Sequence, residues 1–105
     1  MSDQKRPRLY LSGPMTGIPE FNYPAFIAEA TRLRALGYSV VSPAEVTVDT
    51  SVPWELCLRA DIKAMMDCEA IALMPGWQSS KGAHLEVHIA HRVGLPIHIA
   101  VDLQS

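Results

Sequence analysis

Short apolar runs alternate along this chain with longer stretches in which apolar residues recur every three or four positions. The short runs predict four β-strands: Arg8-Leu9-Tyr10-Leu11, Tyr38-Ser39-Val40-Val41, Glu69-Ala70-Ile71-Ala72-Leu73-Met74 and Pro96-Ile97-His98-Ile99-Ala100-Val101. The longer stretches predict helices. The first opens at Pro24 and stops before Gly37, with Phe26, Ile27, Ala30 and Leu33 as its apolar stripe. Pro53 opens another, through about Met66, and a third runs from about Gly82 to Val93, ended by Gly94. Residues 44–52 stay open, since Val46-Thr47-Val48 reads as a short edge strand or as loop.

Strand and helix in alternation predict an α/β chain: a Rossmann-like (flavodoxin-like) three-layer sandwich with a mostly parallel sheet of four to five strands and right-handed crossovers. Ligands of such sheets sit beyond the carboxyl ends of the strands, which brings the 12–17, 42–53 and 74–82 loops to one rim. Three helix N-termini, favourable to anions, meet there too.

Composition narrows the class. At 105 residues the chain holds one core, read as a flexible tail over residues 1–7 and a single domain over 8–105. A hydrophobic share of 49% argues against disorder, and a net charge of −2 argues against binding polymeric nucleic acid. The basic residues Lys5, Arg6 and Arg8 read as a solvated tail. No apolar run approaches the roughly 20 residues that span a bilayer, and the first residues do not read as a signal peptide. Cys57 and Cys68, in apolar surroundings, read as reduced buried thiols of a cytoplasmic protein, with one disulfide as the alternative.

Candidate chemistry centres on two acids. Advancing about 100° per residue from Trp54, Leu58, Asp61, Ile62 and Met65 fall on one face, so Asp61 sits inside an apolar stripe. A carboxylate there needs donors or a ligand. Its alternatives are a polar residue at the sheet edge and a functional acid aimed into the cleft. Glu86 lies near the start of the last helix, about 200° around from His84, while His88 and His91 share the face of His84. The spacing of His84 and His88 suits zinc, but no glutamate follows His84 as in the zincin motif, so interface or surface histidines are favoured. The loop Ser12-Gly13-Pro14-Met15-Thr16-Gly17 lacks both the dinucleotide fingerprint and the Walker A spacing. Its glycines allow close backbone approach, with Ser12 and Thr16 supplying hydroxyls. Trp77, Tyr10 and Tyr23 are candidate stacking surfaces or packing residues. If both acids share the cleft, one carboxylate could act as nucleophile and the other as proton carrier, as in glycosidic bond cleavage.

Three segments carry a resemblance: Leu9–Gly17, Phe21-Asn22-Tyr23-Pro24-Ala25-Phe26, and Gly37-Tyr38-Ser39-Val40-Val41-Ser42-Pro43-Ala44-Glu45. They resemble small bacterial and phage proteins of the DUF4406 type, which look like relatives of the nucleoside 2-deoxyribosyltransferases and deoxynucleoside 5′-monophosphate N-glycosidases. The resemblance implies that Glu86 is the nucleophile and Asp61 the assisting acid. It further implies that Ser12, Gly13, Thr16 and Tyr10 approach the sugar or its 5′ group, with Ser79, Ser80 and Gly82 in the last loop and Trp77 beside it. The substrate implied is a nucleoside or nucleoside 5′-monophosphate, cleaved without metal or organic cofactor by a homodimer or higher homo-oligomer. Where the transferases carry a further acid, this chain has Met74-Pro75-Gly76-Trp77, which favours hydrolysis over transfer. The rival class is a noncatalytic nucleotide-binding or interaction protein on the same fold, and the discriminator is whether Asp61 and Glu86 converge on one cleft.

Overall fold

A computed structural model describes residues 6–46 and 51–104. Four strands, β1 (Arg8–Ser12), β2 (Ser39–Val41), β3 (Ala70–Leu73) and β4 (Ile97–Ile99), form an all-parallel sheet in the order β2-β1-β3-β4. The helices are α1 (Tyr23–Ala35), the short α2 (Pro43–Val46), α3 (Trp54–Met66) and α4 (Lys81–Val93). The architecture is α/β and compatible with a Rossmann-like three-layer fold. No helix among the described residues is long and apolar enough to cross a membrane.

Period-two alternation along β1 divides the core. Leu9 and Leu11 point to one face, where Phe26, Ala30 and Leu33 of α1 cover them together with Ala70 and Ala72 of β3. Tyr10 points to the other, with Ile71 and Leu73 of β3, Met65 of α3 and Ala90 of α4. A strand buried on both faces lacks the polar alternation of a half-exposed one, which is why β1 and β3 read as continuous apolar runs. Tyr10 pairs in register with Ile71, and Ser12 with Leu73. The outer strands β2 and β4 are short, three residues each.

Several expectations need revision. Ile27 lies about 100° from Phe26 around α1, so it faces outward and is 55% exposed rather than part of the buried stripe. The last strand stops at Ile99, and Ala100–Asp102 form a 3-10 turn instead. Val46 belongs to α2, while Thr47 and Val48 lie outside the described residues. Of the basic N-terminal residues, Arg8 is part of β1 and Arg6 stacks its guanidinium 4.9 Å from the Tyr38 ring centre, donating to the Tyr38 hydroxyl. Residues 1–5 of the expected tail lie outside the described residues.

Candidate active site

Between β1 and β3 the chain leaves one strand for α1 and the other for α4, on opposite faces of the sheet. Such a switch point opens a crevice at the carboxyl ends of the strands. Gly13 follows β1 there with its backbone so close to the residue after β3 that an added Cβ would lie 2.8 Å from Met74 Cβ. The loop therefore hugs the sheet and leaves room beyond it.

The central carboxylate comes from α4. Ser80 caps this helix, its Oγ accepting from the Ala83 amide at 3.1 Å, and Gly94 ends it in a left-handed conformation. Glu86, the sixth helical residue, is turned toward the sheet and is 5% exposed. Beneath it, Tyr10 and Ser12 stand two positions apart on β1, on the same face. The Tyr10 hydroxyl donates to Glu86 Oε2 at 2.8 Å, and the Ser12 hydroxyl donates to Glu86 Oε1 at 2.6 Å. Each carboxylate oxygen thus has its own donor, and the head is locked in one orientation.

Asp61 belongs to α3 and lines the same cleft as Glu86. Its Oδ1 is buried and has no hydrogen-bond partner among the described residues. The cleft encloses about 710 Å³, a size suited to a small-molecule ligand. Gly13 and Thr16 reach it from the first loop, and Ser79, Ser80, Lys81 and Gly82 from the start of α4.

Residues 7–99 match the family described as Domain of unknown function (DUF4406). The chain belongs to this family. No curated protein matches it significantly. The matched span of this DUF4406 chain includes the whole sheet and both acids.

Burial acts on the two acids of the DUF4406 cleft alike, but their partners do not. Asp61 is pushed up from its ordinary 3.8 to about 7, first by desolvation and then by the charge of Glu86. Glu86 is also raised by burial, while the Ser12 and Tyr10 hydrogen bonds pull the other way by stabilising its anion. The Tyr10 phenol is raised well above its usual value by burial and by Glu86, so it remains a donor at any physiological pH. The Ser12 and Tyr10 donors favour the anion of Glu86, and the charge of Glu86 in turn favours the protonated form of Asp61.

Not every expected ligand contact belongs to the cleft. Gly13, Thr16, Ser79, Ser80 and Gly82 line it, as do both acids. Tyr10 and Ser12 are fully buried beneath Glu86 and act through it, not as walls. Trp77 is not among the lining residues: it packs on the Tyr10, Met65 and Ile71 core, with its ring 5.3 Å from that of His84. The Ser79 hydroxyl donates to the Gly76 carbonyl, and Ser80 is engaged in the helix cap.

Histidines 84, 88 and 91 are exposed on the face of α4 away from Glu86, and the His84 ring bonds the Gln78 carbonyl. No group of three metal-ligating side chains occurs among the described residues. The cysteines are not joined to one another. Cys57 lines the cleft, and Cys68 is buried in the core, where desolvation raises its thiol to about 11.

Sequence reasoning missed the apolar wall. Met15, Ile18, Phe21, Trp54 and Leu58 all line the cleft. A signal was present: Trp54, Leu58 and Asp61 share one helix face, and an acid on a stripe marks where that stripe leaves the core.

Proposed function

We propose that this protein cleaves the N-glycosidic bond of 2′-deoxyribonucleosides or their 5′-monophosphates, with Glu86 as nucleophile and Asp61 as proton carrier. One observation carries the reading: two acids line a single cleft, one gripped by two hydroxyl donors and the other without a partner at its buried oxygen. That asymmetry separates the roles of two chemically similar groups. The resemblance of the Leu9–Gly17 segment to the DUF4406 type, whose members look like relatives of the deoxyribosyltransferases and N-glycosidases, supports the same reading.

In the first step a Glu86 oxygen attacks C1′ while the bond from C1′ to the base nitrogen breaks. The bonding electrons leave with the base, and the Asp61 proton neutralises it. In the second step a water oxygen attacks C1′ and gives its proton to the Asp61 carboxylate. The ester bond from C1′ to Glu86 breaks as the new bond forms, returning Glu86 to its anion. A second base in place of water would make the reaction a transfer. Tyr10 and Ser12 hold the attacking oxygen, and their bonds to the anion weaken as the ester forms, so they also ease its departure. The proposal includes a cytoplasmic homodimer or higher homo-oligomer, and neither a metal nor an organic cofactor enters either step.

A noncatalytic nucleotide-binding protein on this fold would use the free Asp61 oxygen only to hold its ligand, and would release no base. The deciding experiment incubates the protein with ribo- and deoxyribonucleosides and their 5′-monophosphates and measures free base by chromatography. Release from a deoxyribosyl substrate, reduced at least about a thousandfold by Glu86→Ala, is expected. Release that survives the substitution removes Glu86 from the mechanism. No release from any substrate removes the enzymatic reading.

A further inference from the structure

The two edges of the sheet differ in how they are guarded. At β2 the Arg34 guanidinium donates to the Val40 carbonyl at 2.9 Å, and the strand exposes only the polar Ser39 fully. A short edge covered by a charged side chain resists further pairing. At β4 the described residues supply no such guard. Ile97 is 37% exposed and Ile99 42% exposed, and Val93 and Val101, before and after the strand, are exposed as well.

Backbone geometry sharpens the contrast. The Ile71 amide donates to the Pro96 carbonyl at 2.9 Å, so the parallel ladder turns the amide and carbonyl of His98 toward β3 and those of Ile97 and Ile99 outward. No hydrogen bond reaches these outward groups from elsewhere among the described residues. The chain also turns away from this edge after β4. Arg32 donates to the carbonyls of Ala100 at 2.8 Å and Leu103 at 2.9 Å, and Leu103 packs on the core beneath α1. Residues 100–103 are thereby held on the α1 face, and the side of β4 stays open.

We infer that this edge seats a second copy of the chain, with the two β4 strands paired antiparallel about a two-fold axis at His98. Self-complementarity identifies the occupant. The segment Ile97-His98-Ile99 reads the same in both directions, so the axis places Ile97 opposite Ile99 of the second copy, apolar against apolar. The outward amides and carbonyls of each such pair then bond one another. At both ends the charges are opposite: Asp102, after β4, arrives beside the Gly94 corner of the second copy, which follows the basic last turn with His91 and Arg92. The pairing closes on itself and joins two four-stranded sheets into one, whose remaining edges are the guarded β2 strands. The inference rests on the homo-oligomer included in the proposed function and on none of its chemistry.

The test combines assembly state with a chemical ruler. Ile99 has φ −88° and ψ 122°, near the values proline adopts, and its amide lies outside the β3 ladder. Ile99→Pro therefore removes an outward donor without unpairing β4 from β3, and Ile97→Lys adds a charge at the same edge. Wild type is expected to be a dimer in sedimentation equilibrium at about 100 μM chain, and both variants, verified as folded by circular dichroism, monomers. In His98→Cys two thiols meet across the axis with Cα atoms about 4.5 Å apart, whereas in Ile97→Cys they stand beyond the roughly 7 Å that a disulfide spans. Mild oxidation should bridge the first variant and not the second, with mass spectrometry locating the bridge at position 98. A dimer untouched by both edge substitutions, or bridging that favours position 97 over 98, overturns the β4 pairing and leaves the homo-oligomer standing. A wild-type monomer at that concentration overturns both, and base release, read in its own assay, bears on neither.

Discussion

Replacing Asp61 by Asn removes one ionisable oxygen from the cleft while keeping its shape, and the consequence is a change in how stability depends on pH. In the folded protein the Asp61 carboxyl holds its proton up to about pH 7, against an ordinary 3.8. Below pH 3.8 both folded and unfolded chains are protonated at this site, and it costs nothing. As pH rises from 3.8 to about 7 the unfolded chain releases the proton and the folded one does not, so the folded state is progressively penalised. Above about 7 both are ionised and the penalty is complete. At about 1.4 kcal/mol per pH unit the whole displacement is worth about 4 kcal/mol, and water entering the cleft reduces it to about 2–3 kcal/mol. Urea unfolding of wild type and Asp61→Asn, followed by circular dichroism at steps from pH 4.5 to 8.5, measures it. An unsatisfied Asn amide shifts the variant by a constant amount, so the quantity to read is the change of the difference with pH. About a quarter of the penalty has already accrued at pH 4.5, so the variant should gain on wild type by about 1.5–2 kcal/mol across that range, and the gain should level off above pH 7. Parallel pH curves would refute the assignment of Asp61 as the neutral member of the pair.

Other perturbations test other links. Tyr10→Phe deletes a fully buried donor and leaves Glu86 Oε2 short of a partner; a loss of about 1–3 kcal/mol in urea unfolding is expected, with the acid limb of base release moved to higher pH. Base release by wild type should decline as pH rises through about 7, because Asp61 then has no proton to give, and the decline should be missing from the residual activity of Asp61→Asn. Gly13→Ala forces a methyl to within 2.8 Å of Met74 Cβ, so about 1–3 kcal/mol of thermal stability and much of the activity should be lost together. Arg32 donates to the carbonyls of Ala100 and Leu103 and pairs with Glu29; Arg32→Ala should speed amide exchange in residues 100–104 while costing only about 1 kcal/mol globally.

The fold was legible because its signals are local. Pro24, Gly37, Pro53 and Gly94 punctuate the helices, and the β1 and β3 runs are apolar throughout because both faces are covered. The opposition of Glu86 to the three histidines was also readable, since helix geometry fixes it: Glu86 is buried and the histidines are exposed. What could not be read was the partner of each group. Tyr10 and Ser12 are 76 and 74 residues from Glu86, and only the packing of α4 over β1 makes them its donors. Nor does the α3 stripe state what covers it. Met65 meets the core, whereas Leu58 and Trp54 on the same face meet the cleft. For Trp77, stacking surface and packing residue both stayed open in the sequence, and the structure packs it against the core.

The central claim is that Glu86 forms a bond to the sugar, and stereochemistry tests it most directly. Running the reaction on a β-deoxyribonucleoside in water containing methanol traps the sugar as a methyl glycoside, whose configuration proton NMR assigns. Attack by Glu86 followed by methanol inverts C1′ twice, so the β-glycoside is predicted. An α-glycoside would mean that the solvent attacks C1′ directly, and the role of Glu86 as nucleophile would be contradicted.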